Sequence, residues 1–173
     1  MLFTRPREKG DANPKLADRR DDDDRLPIHW AVSQGYLDIA TLLSGVKNFD
    51  PDVQDGSGWT PLMIAVSLKD GDDLIELFLQ KGADVNATNF TGQTALHFTA
   101  SKNNLDVARK LLAQKPPASA RIKDKRGQYA IHRAAAVGSV PMVELLLKSR
   151  SPLNMTDIAG QTPLHHAVAE GHA

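Results

Sequence analysis

The chain has 173 residues, 41% hydrophobic and 24% charged, and its 21 basic and 21 acidic residues give a formal charge of zero. The absence of cysteine excludes a disulfide scaffold, a thiolate zinc site and a cysteine nucleophile. A balanced charge provides no overall field to hold a nucleic acid or an anionic membrane, so we expect neither as a partner. No signal-like or membrane-length apolar segment is present, and we therefore expect a cytoplasmic and nuclear protein.

The first segment in chain order is residues 1–20, which is rich in charge and poor in apolar side chains. Of the first 24 residues, 13 are charged. Such a composition cannot bury enough apolar surface to offset the entropy lost on ordering the chain. We therefore predict that residues 1–20 are disordered or stem from a wrongly delimited gene, and that the folded array occupies residues 21–173.

From residue 24 onward, a hexapeptide of the type Gly-x-Thr-Pro-Leu-His returns five times. Its last residues, which are 34, 34, 35 and 33 positions apart, are His29, Met63, His97, His132 and His165. A period near 33 residues indicates one supersecondary unit stacked on its neighbours, because a unit of this size cannot bury its own apolar face. The motif resembles the ankyrin repeat. That resemblance implies an all-α repeat solenoid in which each unit has a β-hairpin tip and a helix–turn–helix.

Each copy predicts the same elements in the same order. Segments rich in Asp, Asn and Gly, such as residues 84–92, predict the hairpin tip. Thr60 followed by Pro61 predicts the start of a short first helix, since Thr caps free N–H groups and Pro has none. Apolar residues at i, i+3 and i+4, as in residues 105–112, predict the second helix. The turns between paired helices hold Gly35, Asn103 and Gly138.

The chain ends at residue 173, which we expect to lie inside the first helix of the fifth copy. We therefore expect four complete copies and a C-terminally truncated fifth. Because each unit buries its apolar face against the next, we also expect that an apolar face is exposed at the fifth copy.

The repeated histidine is a candidate metal ligand or catalytic group. Copies on successive units of a solenoid are too far apart to share one ion. The ankyrin resemblance implies a structural role instead, in which the histidine ties adjacent loops together. The sequence also contains no phosphate-binding loop, nucleophile elbow or complete calcium loop. We therefore predict no enzyme activity, no cofactor and no metal.

The concave face of the array is the predicted protein-binding surface, since side chains inside a stacked unit are used for packing. Reading the same register in every copy selects Arg25, Trp30, Trp59, Phe98, Lys102, Lys125, Arg126 and Arg133. Aromatic and Arg side chains are common interface anchors, and the positive groups gather in the middle copies. A partner with an apolar anchor near one end and carboxylates near the other would fit. The alternative is that Trp30 and Trp59 pack between repeats and the charges are merely solvated.

Several runs resemble the gankyrin family of proteasome assembly chaperones more than ankyrin repeats in general. The matching runs are residues 25–30, 57–61, 100–103, 121–125, 131–135 and 169–172. The resemblance implies that the concave face binds the C-terminal domain of one ATPase subunit of the proteasome regulatory particle. It also implies that Arg25 and Lys102 pair with charges on that domain. The expected partner is thus a protein, and we expect the chain itself to be a monomer.

Two other functions remain open, namely a generic ankyrin adaptor or scaffold and the ankyrin segment of a larger protein. The paired Trp residues and the spacing of Arg25 and Lys102 favour the assembly chaperone, since neither alternative requires them. We expect that changing Arg25 and Lys102 to Glu weakens capture of the partner, whereas Gln128→Glu has little effect.

Overall fold

The computed structural model describes residues 17–172, so most of the predicted segment 1–20 lies outside the described residues. Nine α-helices occur within residues 17–172, as four pairs of an inner and an outer helix followed by a fifth inner helix. The inner helices are α1 (Pro27–Ser33), α3 (Pro61–Ser67), α5 (Ala95–Ser101), α7 (Ala130–Ala136) and α9 (Pro163–Ala169). The outer helices are α2 (Leu37–Ser44), α4 (Asp72–Gln80), α6 (Leu105–Leu112) and α8 (Val140–Lys148). This arrangement is the all-α repeat solenoid that the sequence predicts.

The inner helices begin where the hexapeptide predicts, and the cap depends on its last residue. In the copy that ends in Met63, the Thr60 hydroxyl accepts a hydrogen bond from the Met63 N–H at 3.3 Å. In the other four copies, Nδ1 of the histidine accepts the N–H of the residue just before the helix, at 3.0–3.2 Å. The histidine therefore satisfies a backbone donor at the helix start, and the copy with methionine relies on threonine alone.

Left-handed residues connect the inner to the outer helix in three units, as expected. The φ angles are 73° at Gly35, 55° at Asn103 and 69° at Gly138. The second unit differs, because Gly71 has a φ angle of −99°. A Cβ atom at Gly71 would collide with the backbone carbonyl oxygen of Ala65, so glycine is required there for space and not for its left-handed conformation.

The core lies along the stacked inner helices, each of which packs against the inner helix of the next unit. Small residues allow this approach, and Ala65, Thr99 and Ala134 are completely buried. The outer helices add larger side chains that are also fully buried, namely Phe78, Leu111 and Leu146. Burial of each such large side chain contributes about 1.5–3 kcal/mol to the free energy of unfolding.

An apolar surface is exposed at the fifth unit, as expected. Leu164 and Val168 of α9 are 68% and 55% exposed, and Ile158 in the preceding tip is 78% exposed. Leu164 and Val168 occupy positions that earlier units bury against the next repeat, as Leu96 and Ala100 do in α5. The exposed face agrees with the expectation, but the expectation that the chain ends inside α9 is wrong, because this helix ends at Ala169.

The predicted hairpin tips are tight loops, and residues 17–172 contain no β-strand. Each loop is closed by a backbone hydrogen bond, such as that from the Asp55 N–H to the Trp59 carbonyl oxygen at 3.1 Å. Neighbouring tips are joined by a single backbone hydrogen bond and not by a ladder. In one example, the Phe90 N–H donates to the Ser57 carbonyl oxygen at 3.1 Å. The tips of the five units therefore follow one another along one edge of the array.

The described part of the predicted disordered segment is attached to the second unit. Nη1 of Arg20 donates to the backbone carbonyl oxygens of Asp24 and Gln54, at 2.6 and 2.8 Å. Within residues 17–172, each helix is too short or too polar to cross a lipid bilayer.

Candidate protein-binding face

Every tip is built around one Asp or Asn side chain at its start. Oδ1 of this residue accepts hydrogen bonds from the backbone N–H groups two and four residues later, at 2.8–3.1 Å. The five residues are Asp21, Asp55, Asn89, Asp124 and Asp157. Sequence reasoning missed their role, although they recur with the same spacing as the hexapeptide. That shared period was the available signal.

The repeated histidines are structural, as the ankyrin resemblance implies. Nε2 of His29, His97 and His132 lies 3.0–3.2 Å from a backbone carbonyl oxygen of the following unit. Because Nδ1 accepts a backbone N–H at the same time, both ring nitrogens of each histidine are engaged. Burial is the main cause that lowers the pKa of all three side chains. They join the units that carry the face and are not free to contact a partner.

Arg25 and Trp30 lie together at the first unit. The guanidinium carbon of Arg25 is 5.2 Å from the centre of the Trp30 ring, and Nε of Arg25 is 3.8 Å from Oδ2 of Asp55. Nε1 of Trp30 donates to Oδ2 of Asp21 at 2.6 Å. The backbone N–H of Arg25, followed by the Trp30 indole, lowers the pKa of Asp21. Trp30 is still 45% exposed among the described residues, so part of its ring is available to a partner.

Trp59 and Phe98 form a stacked pair between the second and third units. Their ring centroids are 4.3 Å apart and the ring planes make an angle of 28°. Both side chains are half-buried, so each one packs between repeats and also contributes to the surface. Such a pair adds about 0.5–1.5 kcal/mol beyond the area that it buries. Trp59 therefore packs between repeats, and its role in binding a partner stays a prediction.

The positive residues of the face fall into two groups. Nη2 of Arg133 is 3.0 Å from Oδ2 of Asp124, whose side chain is only 2% exposed. Lys102, Lys125 and Arg126 are exposed, and among residues 17–172 no carboxylate lies within ion-pair distance of their charged groups. The available positive charge is therefore concentrated at the third and fourth units.

Gln128 is not the neutral control position that the sequence suggested. It is 8% exposed, and its Nε2 donates to Oδ2 of Asp157 at 3.0 Å. Nε2 of His166 is 2.9 Å from the same oxygen. The hydrogen bond from Gln128 is the largest cause that holds the pKa of Asp157 far below its usual value. A glutamate side chain at position 128 would face a buried carboxylate, so Gln128→Glu is not a matched control, and its effect on capture of the partner stays a prediction.

The face as a whole offers aromatic surface and exposed cations. Within the described part of the chain, no three His, Asp or Glu side chains are arranged to hold a metal ion. Aromatic rings beside exposed ammonium and guanidinium groups are suited to binding apolar and acidic side chains of another protein.

Family models for ankyrin repeats match most of the array. The model of three copies matches residues 28–119, and the model of many copies matches residues 99–147 and 131–173. The chain belongs to the ankyrin repeat family.

Among its relatives is the yeast (Saccharomyces cerevisiae) protein named "Probable 26S proteasome regulatory subunit p28", which is 39% identical over 98% of this chain and 75% of that protein. "Ankyrin repeat-containing protein C6C3.08" of Schizosaccharomyces pombe is 43% identical over 86% of this chain and 64% of its own length. Human Inversin is 32% identical over 82% of this chain but only 16% of its own length. The likeness to p28 confirms the resemblance to proteasome-associated ankyrin proteins.

Proposed function

We propose that this chain is a non-catalytic protein-binding module that assists assembly of the proteasome regulatory particle. Its partner in this proposal is the C-terminal domain of one ATPase-ring subunit, which binds on the concave face. The observation that carries the proposal is the 39% identity, over 98% of this chain, to a protein named as a probable regulatory subunit of the 26S proteasome. The ATPase domain is the partner that the gankyrin resemblance implies. We further propose that the protein acts as a monomer in the cytoplasm and nucleus.

The order of groups along the face supports a partner of defined chemistry. The aromatic surface of Trp30, Trp59 and Phe98 lies on the first three units, and the exposed cations Lys102, Lys125 and Arg126 lie on the third and fourth. A partner domain would therefore place an apolar side chain against the aromatic residues and carboxylates against the cations. Buried aromatic anchors provide most of the affinity in such an interface, and charges mainly increase the association rate.

A non-catalytic role is consistent with how the polar side chains are used. The buried histidines bond the backbone through both ring nitrogens, and the loop carboxylates bond N–H groups of their own tip. These groups are therefore committed to joining and shaping the units. The residues that remain exposed are suited to recognition.

The choice of charge variants follows from the ion pairs. Arg25→Glu would place a carboxylate beside the buried Asp55 and disturb the tip as well as the face. Lys102→Glu and Lys125→Glu change exposed groups and avoid this problem. Lys115→Glu is a matched control, because Lys115 is an exposed lysine that follows the outer helix α6.

The test is direct binding of the full chain to purified C-terminal domains of the regulatory-particle ATPase subunits. We expect that one domain binds and that its affinity falls as salt is raised. The Lys102→Glu/Lys125→Glu variant should weaken this binding by at least about tenfold, and Lys115→Glu should leave it unchanged. If no ATPase domain binds at low salt, the proposal is refuted and the role of a general adaptor, or of a segment of a larger protein, takes its place.

A further inference from the structure

The five loop residues differ in a way that the shape of the tip does not require. Four of them are Asp and one is Asn. Oδ1 of Asn89 accepts the N–H groups of Thr91 and Gln93 at 3.1 and 2.9 Å, and Oδ1 of Asp55 makes the equivalent bonds at 2.9 Å. An amide oxygen therefore holds a tip as well as a carboxylate does. The geometry of the tip therefore does not require the negative charge at the other four positions.

The second carboxylate oxygen of each loop aspartate points to a side chain of the concave face. The partners occupy only two register positions, four residues before and one residue after the end of the hexapeptide. The pairs in the first, second and fourth tips are Asp21 with Trp30 (2.6 Å), Asp55 with Arg25 (3.8 Å) and Asp124 with Arg133 (3.0 Å). Asp157 completes the series with Gln128 and His166. Both positions belong to the concave face that we predicted as the protein-binding surface.

The exception in the third tip follows the same rule. The side chains next to this tip at the two register positions are Trp59 and Phe98, which stack on each other and carry no charge. Nδ2 of Asn89 instead donates to Oε1 of Gln93 at 3.2 Å. Among residues 17–172, Asn thus stands at the tip whose two neighbouring face residues form no hydrogen bond or ion pair with it, and Asp stands at the tips where such a contact exists.

In each ion pair the aspartate side chain is more deeply buried than the arginine side chain. The side chains of Asp55 and Asp124 are 7% and 2% exposed, whereas those of Arg25 and Arg133 are 38% and 25% exposed. The carboxylates are fixed by two backbone N–H groups each, so the arginine side chains are the groups that adjust. A guanidinium held in this way loses little further side-chain entropy when it contacts a partner.

We propose that Asp55 and Asp124 are positioning residues of the binding face, which orient Arg25 and Arg133 toward the partner. The two arginines then provide directed contacts with their charge largely compensated. Lys102, Lys125 and Arg126 provide the salt-sensitive attraction. The consequence for binding rests on the proposed function, whereas the ordering of the two arginines does not depend on any partner.

The partner-free test measures the order of the arginine side chains by ¹⁵N relaxation of their Nε atoms in the full chain. In the wild type, Arg25 and Arg133 should be ordered and Arg126 mobile. Asp124→Asn should make Arg133 as mobile as Arg126, while the loop N–H groups of Arg126 and Gln128 keep their protection from hydrogen exchange. Asp55→Asn should do the same for Arg25. Asp50→Asn is the control, since within residues 17–172 the side chain of the exposed Asp50 accepts only the N–H of Asp52, at 2.9 Å.

Two results of this experiment would overturn the proposal. One is an Arg133 that stays ordered in Asp124→Asn, and the other is loss of protection of the loop N–H groups, which would mean that the charge maintains the tip itself. Having both Asp55→Asn and Asp124→Asn allows the test to proceed if one of them folds poorly.

The second test uses the ATPase domain that binds the wild type. Simple electrostatics predicts that removing a negative charge from a cationic face strengthens binding to an acidic partner. Positioning predicts the opposite, namely a Kd that is about threefold to tenfold higher for Asp124→Asn. Arg133→Gln should have an effect of the same size, and the double variant should lose no more than the larger single one. Equal or tighter binding by Asp124→Asn would contradict the proposal. If no domain binds the wild type, the proposed function fails and the relaxation result still decides the role of Asp124.

Discussion

Nε2 of His97 lies 3.0 Å from the carbonyl oxygen of Gln128, while Nδ1 of the same ring accepts the N–H of Thr94 at 3.1 Å. One side chain thus caps the inner helix of the third unit and binds the loop of the fourth. The neutral ring with its proton on Nε2 is the form that makes both bonds. His29 and His132 connect their units in the same way.

These histidines should make the array sensitive to mild acid. The pKa of each of the three is lowered from the ordinary 6.5, chiefly by burial. The unfolded chain therefore takes up protons before the folded one does, and the free energy of unfolding should fall as the pH drops below about 7 toward 5. Each histidine contributes up to about 1.4 kcal/mol per pH unit. Urea unfolding measured at several pH values between 7.5 and 5 checks this slope.

Removing one of the three histidines should reduce the dependence of the free energy of unfolding on pH. His97→Gln is expected to be less stable than the wild type at pH 7.5, because it loses the paired hydrogen bonds, but its stability should change less between pH 7 and 5. The pKa values of Asp21 and Asp157 are lowered, so these two carboxylates lose stabilisation only in stronger acid. An unchanged slope in His97→Gln would show that other groups control the acid response.

Equivalent histidines should differ in importance according to burial. His97 is 2% exposed and bonds the next unit, whereas His165 is exposed and, among the described residues, bonds only Thr162 of its own unit. We expect His97→Ala to lower the free energy of unfolding by about 2–4 kcal/mol, through lost hydrogen bonds and a cavity. His165→Ala should cost less than about 1 kcal/mol. Denaturant unfolding of both variants compares them, and equal losses would contradict a joining role for His97.

Gln128→Glu should destabilise the contact between the fourth and fifth units. The new carboxylate would face Asp157, which is 8% exposed, at a place where an amide now donates. We expect a loss of about 1–3 kcal/mol at neutral pH, because a buried acceptor replaces a donor. The loss should diminish as the pH falls and the introduced carboxyl group is protonated, since repulsion by Asp157 raises the pKa of that group. The control is Gln161→Glu at the exposed equivalent position, where the thermal midpoint should change little.

The aromatic pair on the face should report on the junction of the second and third units. Phe98→Leu keeps apolar volume but removes the stack on Trp59, so we expect a loss of about 0.5–1.5 kcal/mol in the free energy of unfolding. The near-ultraviolet circular dichroism of tryptophan should decrease at the same time. Phe90→Leu at a 55% exposed site is the control and should change stability by less than about 0.5 kcal/mol. A Phe98→Leu protein with wild-type dichroism would show that the stack is not maintained in solution.

The register of the repeat predicted which residues lie on the face, but it did not predict which of the charged side chains form ion pairs. The sequence placed Arg25, Trp59, Lys102 and Arg133 on one side of the array because every copy repeats the same positions. It could not distinguish Arg133, which pairs with Asp124, from Lys102, which is exposed. The difference depends on contacts between a loop and a helix nine residues apart, and on contacts between units, which a linear pattern does not specify.

The ankyrin resemblance implied the structural role of the histidine, and the sequence by itself determined the fold class, the family and the helix starts. Each of these is encoded within one period of about 33 residues, by caps, turn residues and apolar spacing, and the repetition makes the local signal strong. Only the tertiary structure decided that neighbouring tips are joined by one backbone hydrogen bond, that Gln128 is buried against Asp157, and that loop aspartates form ion pairs with the arginines. These features arise from the packing of one unit on the next, and their energies depend on burial and distances that exist only in the folded array.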